Sequence, residues 1–156
     1  MATTEQKPAP WHAAFPAPVS KATFVTREET RKLFEAKTAG KDFILVDVRR
    51  TDFEGGTIKH SINLPAHSLY PTREAIYNLL HGAGVSLAIF YCGSSNGRGP
   101  RASAWLQDYI NEKGDETIKS VALEGGIKGW VGAGEEYVQL VEGYEAEVWA
   151  KGGEGC

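Results

Sequence analysis

Four short apolar runs, separated by helical patterns, constrain the fold of this chain more than any other feature. The runs at 43–48, 62–64, 85–91 and 118–123 are shorter than typical helices, and each ends at a turn or a polar segment. Apolar runs of this length are typical of strands buried on both faces, as in a parallel sheet. The sequence therefore predicts an α/β fold: a single domain with a mainly parallel central sheet and helices on both of its faces.

Capping residues and periodicity mark the helices between these strands. Thr26 and Glu29 have the spacing of a capping box, which predicts a helix to about Lys37. Pro71 is predicted to open a second helix that ends near Gly82, and residues 100–114 form a third. A last helix is predicted over 135–148, where apolar residues recur at helical spacing.

The length of the chain and its charge limit its organisation and its partners. With 156 residues and a net charge of −3, the chain has the length of one domain and lacks the broad basic field that nucleic acid or anionic membranes require. We expect an extended or disordered N-terminal arm over 1–20, which contains four prolines, a domain over 21–150 and a flexible tail over 151–156. Trp11 and Phe15 are available to attach the arm to the domain.

Cysteine usage and the N-terminus favour a cytoplasmic protein without a membrane segment. Only Cys92 and Cys156 are present, so a disulfide-rich secreted domain is not expected, and no His or Cys cluster has metal-ligand spacing. The N-terminus lacks the pattern of a signal peptide. His60, His67 and His81 are interpreted as scattered polar residues.

The segment from Cys92 to Pro100 carries the chemistry. A strand delivers Cys92 to the carboxyl edge of the sheet, and a helix begins just after Arg98. The amides of such a loop can curl around one anion, and the helix N-terminus adds positive potential that favours a thiolate. Cys92 and Arg98 are the predicted catalytic residues, Cys92 as the nucleophile and Arg98 as a fork for two oxygens. The predicted substrate-binding residues are Gly93, Ser94, Ser95, Asn96, Gly97 and Arg98.

These residues resemble a known family. The Cys-x5-Arg loop followed by Gly-Pro-Arg is similar to the active-site loop of the rhodanese-fold dual-specificity phosphatases of the cell-division cycle, and equally to that of the small eukaryotic arsenate reductases. Residues 47–49 with 53–65 resemble one rhodanese signature, and residues 123–130 resemble a second. The resemblance implies a rhodanese-like domain in which Asp47 and Arg49 are structural, Asp47 fixing the loop ahead of Glu54.

The chain departs from the family pattern at three positions. Tyr91 precedes the nucleophile where family members usually have His. Thr57 stands where the first signature often has His, and His60 stands where it has a small residue.

Three classes of function compete for this loop. In an arsenate reductase or a phosphatase, Cys92 attacks a bound oxyanion; in a sulfurtransferase it carries a persulfide; in a binding module it does neither. The sulfurtransferases of this fold resemble one another in having only four residues before the basic one, whereas five separate Cys92 from Arg98. The first class is favoured, with Asp52 and Glu54 as candidates for the acid that phosphoester cleavage needs.

Arsenate reductase is the preferred prediction and phosphatase the alternative. We predict that neither reaction uses a bound cofactor or metal ion. The expected substrate is a small oxyanion. Glutathione is the expected co-substrate, with glutaredoxin as a partner, because the reaction needs a second thiol and the only other cysteine of the chain is Cys156, in a glycine-rich tail.

Overall fold

A computed structural model describes residues 9–151 of the chain. Residues 1–8 of the predicted arm and residues 152–156 of the predicted tail lie outside this range. The described residues contain seven strands: β1 (Phe24–Val25), β2 (Phe43–Asp47), β3 (Thr57–Ile58), β4 (Ser61–Asn63), β5 (Leu87–Tyr91), β6 (Lys119–Leu123) and β7 (Val141–Glu142). The same part of the chain contains seven α-helices: α1 (Arg27–Ala36), α2 (Ala66–Leu69), α3 (Arg73–Ala83), α4 (Arg98–Glu112), α5 (Gly126–Val131), α6 (Glu135–Val138) and α7 (Ala146–Ala150).

Five strands form one parallel sheet in the order β1-β6-β5-β2-β4. The fold is therefore an α/β single domain built on a mainly parallel sheet, as predicted. The two short strands β3 and β7 pair separately and are antiparallel. β1 and β3 were not predicted, because two-residue strands leave no periodic signal in a sequence.

Two hydrophobic clusters lie on opposite faces of this sheet. Alternate residues of a strand point to opposite faces, and Phe90 joins the cluster that contains Trp105 of α4, whereas Ile89 and Tyr91 join the cluster that contains Trp130 of α5. Helices therefore cover both faces, as the sequence predicts.

The first helix is capped as the sequence predicts. The Thr26 side chain accepts from the Glu29 amide at 3.1 Å, and the Glu29 carboxylate accepts from the Thr26 amide at 3.3 Å. The second predicted helix has different bounds: a 3-10 turn at Tyr70–Thr72 precedes α3, which runs to Ala83 and is closed by Gly84 in the left-handed region.

The single helix predicted over 135–148 is wrong. This segment consists of α6, β7 and α7 in sequence. Gly143 has φ +68°, a conformation that a helix interior excludes, and β7 pairs with β3 instead of continuing the helix. Tyr137, Leu140 and Val141 pack into one hydrophobic cluster, whereas Tyr144 of the same apolar stripe is exposed.

The residues before β1 pack against α4. Trp11 and Phe15 contact the Trp105 ring edge-on, each with ring centroids 5.8 Å apart, and Trp105 Nε1 donates to the Pro16 carbonyl at 2.9 Å. The Val19 amide donates a hydrogen bond to the Asp108 carboxylate at 2.7 Å. Trp11 and Phe15 thus attach this segment to the domain.

A buried ion pair organises the loop after β2. Asp47 and Arg49 have side chains that are at most 2% exposed, and Arg49 Nη2 lies 2.8 Å from Asp47 Oδ2. Arg49 also donates to the carbonyls of Glu54 (2.9 Å) and Gly56 (2.6 Å). Arg49 therefore holds the loop directly, while Asp47 holds Arg49.

We expect Asp47→Asn to lower the free energy of unfolding by about 3–5 kcal/mol, because the Arg49 charge then stays buried without its counter-ion. Chemical denaturation measures this loss. The matched control is Glu35→Gln, which breaks the exposed Arg31–Glu35 pair (3.7 Å) and should cost at most about 0.5 kcal/mol. Equal losses in the two variants would contradict the role of the buried pair.

Candidate active site

Cys92 follows the last residue of β5, and Arg98 is the first residue of α4. The residues between them form the turn from the sheet edge into a helix of 15 residues. Pro100 has no N–H and the Arg101 amide donates to the Gly97 carbonyl at 3.1 Å, so the amides at the very start of α4 are the ones that can face a group in this turn. The two predicted catalytic residues therefore stand at the two ends of one loop.

The Cys92 sulfur lies against the first turn of α4. The Gly99 amide donates to Cys92 Sγ at 3.2 Å, and the Cys92 amide donates to Ser95 Oγ at 3.4 Å. A donor aimed at sulfur, together with the helix N-terminus, stabilises negative charge on that atom. Ser95 has φ +57°, which is uncommon for a residue with a side chain and gives the loop its sharp turn.

The predicted binding residues differ in exposure. Gly93 and Ser95 are buried, Ser94 is half-buried, and Asn96 and Gly97 are exposed. The floor of the loop is thus made by its first residues, and its outer rim by Asn96 and Gly97.

Helix α5 supports the floor of the loop. The Ile127 amide donates to the Cys92 carbonyl at 3.1 Å, and the Lys128 amide donates to the Gly93 carbonyl at 2.9 Å. Gly126 makes this approach possible, since it has φ +58° and a Cβ there would lie 2.5 Å from both carbonyl oxygens. The second signature segment therefore positions the backbone of Cys92 and Gly93.

Arg98 forms an end-on, two-point contact with Asp52. Arg98 Nη1 lies 2.8 Å from Asp52 Oδ1, and Arg98 Nη2 lies 2.5 Å from Asp52 Oδ2. The Arg98 side chain is 12% exposed and that of Asp52 is 31% exposed, so the pair is partly shielded from solvent. Of the two carboxylates that the sequence offers as acids, the structure brings Asp52 to Arg98. Glu54 contributes its backbone carbonyl to Arg49, and its side chain is exposed.

The charge on Asp52 follows from this contact. Hydrogen bonds from Arg98 lower the pKa of the Asp52 carboxyl to about 2, against the opposing effect of desolvation. Asp52 is therefore ionised at neutral pH and has no proton to donate while it is paired with Arg98.

Comparison with known proteins identifies the family. The model of the rhodanese-like domain matches residues 26–133, which is more than half of the chain. The chain belongs to the rhodanese-like family. Both segments that resemble rhodanese signatures, within residues 47–65 and at 123–130, lie in the matched region.

Two curated yeast proteins are similar to this rhodanese-like chain. Arsenical-resistance protein 2 of Saccharomyces cerevisiae is 31% identical over 117 residues, covering 69% of this chain and 87% of that protein. The CDC25-like phosphatase YCH1 of the same yeast is 28% identical over 120 residues, covering 72% of this chain and 81% of that protein.

A solved structure is also similar. The As-Sb reductase of Leishmania major superposes with a TM-score of 0.59 at 25% identity, covering 67% of this chain and 73% of that one.

Tyr91 and Thr57, two of the departures from the family pattern, contact each other in this rhodanese-like domain. The Tyr91 hydroxyl lies 2.8 Å from Thr57 Oγ1 and 2.7 Å from Ser61 Oγ, and it accepts from the Ile58 amide at 3.1 Å. Thr57 donates its own proton to Asp47 at 2.9 Å, so Tyr91 donates to Thr57. Burial raises the pKa of Tyr91, which keeps this phenol protonated beneath the loop.

His67 lies nearer to the site than the sequence analysis implies. Its ring packs against that of Trp11 in a tilted arrangement, with centroids 4.8 Å apart and 34° between the planes. Burial lowers the pKa of His67, and the charges of Arg50 and Arg98 lower it further. His67 is therefore a neutral ring within electrostatic reach of Arg98. No sequence signal marked it, because only the packing of Trp11 and α2 brings it there.

Within residues 9–151 there is no group of three or more His, Cys, Asp or Glu side chains that could hold a metal ion. In the same part of the chain, no helix is long and apolar enough to cross a membrane.

We expect Gly126→Ala to displace the loop and to slow alkylation of Cys92 at neutral pH by at least about tenfold, because the new methyl group displaces the Cys92 carbonyl and thereby separates the sulfur from the Gly99 amide. The measurement uses reduced protein that also carries Cys156→Ser, so that one thiol is followed. Gly129→Ala on the same helix is the control, since its Cβ meets only Arg27 Nη1 at 3.8 Å. A Gly126→Ala variant as reactive as this control would contradict the supporting role of α5.

Proposed function

We propose that this protein is an arsenate reductase in which Cys92 is the nucleophile and Arg98 helps to hold the oxyanion. The observation that carries this proposal is the hydrogen bond from the Gly99 amide to Cys92 Sγ at the start of α4, next to Arg98. Amides and a helix N-terminus that favour a sulfur anion also favour an oxyanion bound beside it. Gly93, Ser94, Ser95, Asn96 and Gly97 supply the backbone of the same anion site.

The proposed reaction has three steps. The Cys92 thiolate attacks arsenic, an S–As bond forms, and an As–O bond breaks as hydroxide leaves with a proton to become water. A thiolate of glutathione then attacks the Cys92 sulfur, which forms a mixed disulfide and leaves the S–As electron pair on arsenic, so that arsenic is reduced and arsenite departs. A second thiol, from glutathione or glutaredoxin, reduces the mixed disulfide and regenerates Cys92.

The state of Asp52 favours arsenate over a phosphate ester. Cleavage of an alkyl ester benefits from an acid that protonates the departing alkoxide. Asp52, the carboxylate paired with Arg98, has its pKa held at about 2 and carries no proton at neutral pH. Arsenate brings protons on its own oxygens, so its leaving group needs no acid from the protein.

A phosphatase activity is the alternative, supported by the similarity to the CDC25-like phosphatase YCH1. The same loop would bind the phosphoryl group and Cys92 would form a thiophosphate intermediate. Because Asp52 is ionised, we expect such activity to be limited to esters with acidic leaving groups, such as aryl phosphates. Sulfurtransferase and purely oxyanion-binding roles are less favoured, the first by the five-residue spacing of the loop and the second by the cysteine that it contains.

The electron donor is proposed to be an external thiol. Cys92 is the only cysteine among residues 9–151, and Cys156, the other cysteine of the chain, lies outside the described residues. Glutathione, with glutaredoxin as protein partner, fits this requirement and a reducing cytoplasmic setting. The protein itself would hold no resident cofactor.

We expect Cys92→Ser to abolish arsenite release while keeping oxyanion binding, because the loop amides and Arg98 survive the change whereas the nucleophile does not. The measurement compares wild type and variant in an assay with arsenate plus glutathione and in a second assay with an aryl phosphate. Release of arsenite by wild type supports the reductase. Ester cleavage without arsenite release would favour the phosphatase, and substantial activity in Cys92→Ser would end the assignment of the nucleophile.

We expect Cys156→Ser to reduce arsenate as fast as wild type, within about twofold, when glutathione is present, because the external thiol attacks the Cys92 sulfur. Multiple-turnover assays are run with glutathione or with only a reductant that opens disulfides. The comparison shows whether the second thiol comes from glutathione or from Cys156. Loss of arsenite release in Cys156→Ser, together with turnover of wild type without glutathione, would show that Cys156 is the resolving cysteine.

A further inference from the structure

The end-on contact with Asp52 uses part of the Arg98 guanidinium and leaves part of it available. Arginine has five N–H donors, and Asp52 takes one from Nη1 and one from Nη2. The remaining donors lie along the two sides of the planar group. An oxyanion in the loop can therefore bind Arg98 from one side while Asp52 stays in place.

This arrangement brings any such anion close to the Asp52 carboxylate. Donors on one nitrogen of the guanidinium are about 120° apart, so an anion oxygen and an Asp52 oxygen that share a nitrogen lie about 5 Å apart. At that separation two negative charges near a protein surface repel each other appreciably, and a hydroxyl on the anion can turn toward the carboxylate.

The charges around the pair do not offset this repulsion. Asp52 neutralises Arg98 at 2.5–2.8 Å, and the pKa of Asp52, about 2, keeps it ionised throughout the neutral range. His67 is the neighbouring imidazole, and its lowered pKa favours the neutral form. Arg50 is exposed, so solvent screens its charge.

We propose that Asp52 is a specificity-determining residue, which selects oxyanions that keep a hydroxyl and disfavours oxyanions that have none. A hydroxyl donates to the Asp52 carboxylate and turns the repulsive contact into a hydrogen bond. Arsenate and inorganic phosphate keep a hydroxyl at neutral pH, whereas sulfate and the dianion of a phosphate monoester have none. This inference rests on the oxyanion site of the proposed function and does not depend on turnover.

Sulfate and inorganic phosphate at pH 8 test the proposal, because both are then doubly charged tetrahedral ions and only phosphate carries a hydroxyl. Titration calorimetry on the reduced full chain gives the dissociation constant of each ion. Wild type is expected to bind phosphate about tenfold more tightly than sulfate. In Asp52→Ala the two constants should agree within about twofold, chiefly because sulfate binds more tightly.

The control variant is Glu54→Ala, which removes an exposed carboxylate from the same loop and should keep the wild-type ratio. The proposal would be overturned if Asp52→Ala kept the wild-type ratio of the two dissociation constants or bound both ions more tightly by the same factor. It would equally be overturned if the ratio collapsed in Glu54→Ala, or if none of these proteins bound either ion. A chain that shows the predicted selectivity but releases no arsenite would keep this inference and refute the proposed reductase activity.

Discussion

The buried pair of Asp47 and Arg49 is the interaction on which the site depends. Asp47 is the last residue of β2 and lies beside Tyr91 of β5 in the sheet register. Through Arg49 it fixes the carbonyls of Glu54 and Gly56, and this holds the intervening loop in the position from which Asp52 reaches Arg98. The buried Asp47–Arg49 pair thus connects strand β2 to the ion pair of Asp52 and Arg98.

The two departures from the family pattern at Thr57 and Tyr91 are joined to the same contact. The Thr57 hydroxyl donates a hydrogen bond to the Asp47 carboxylate and accepts one from the Tyr91 hydroxyl. A histidine before the nucleophile could titrate near neutral pH, whereas a buried phenol whose pKa is raised stays neutral. Negative charge on the Cys92 sulfur would therefore be stabilised from the side of α4, by the Gly99 amide and the helix N-terminus, with no group at position 91 that titrates near neutral pH.

Local patterns predicted the parts of the fold that local interactions determine. The capping box at Thr26, the buried strands β2 and β5 and the loop from Cys92 to Arg98 all have short-range signals, and the structure contains them. The prediction of one helix after residue 135 was wrong because the apolar spacing fits a helix, whereas the pairing of β7 with β3 determines the conformation of this segment. Hydrophobic periodicity records which side chains are buried and does not record a turn made by one glycine.

The same distinction applies to the site. Five loop residues and a nearby helix start were enough to predict that Cys92 and Arg98 stand at the two ends of one loop between a strand and a helix, because that geometry is local; the anion site itself stays a prediction. Sequence could offer Asp52 and Glu54 only as equal candidates, since 46 positions separate Asp52 from Arg98 and nothing in the sequence measures that distance. The fold distinguishes the two carboxylates by pairing Asp52 with Arg98 and directing the Glu54 carbonyl to Arg49.

The pairing also changes the chemical meaning of Asp52. A carboxylate near a cysteine loop suggests a general acid when only its residue type is known. Held at both Nη atoms of an arginine, it is a fixed negative charge instead, and it cancels the cation that would otherwise dominate the site. Affinity for the substrate must then come mainly from backbone amides and the start of α4, which bind an oxyanion by shape and hydrogen bonds more than by net charge. A site of this kind suits a small tetrahedral ion that carries its own protons.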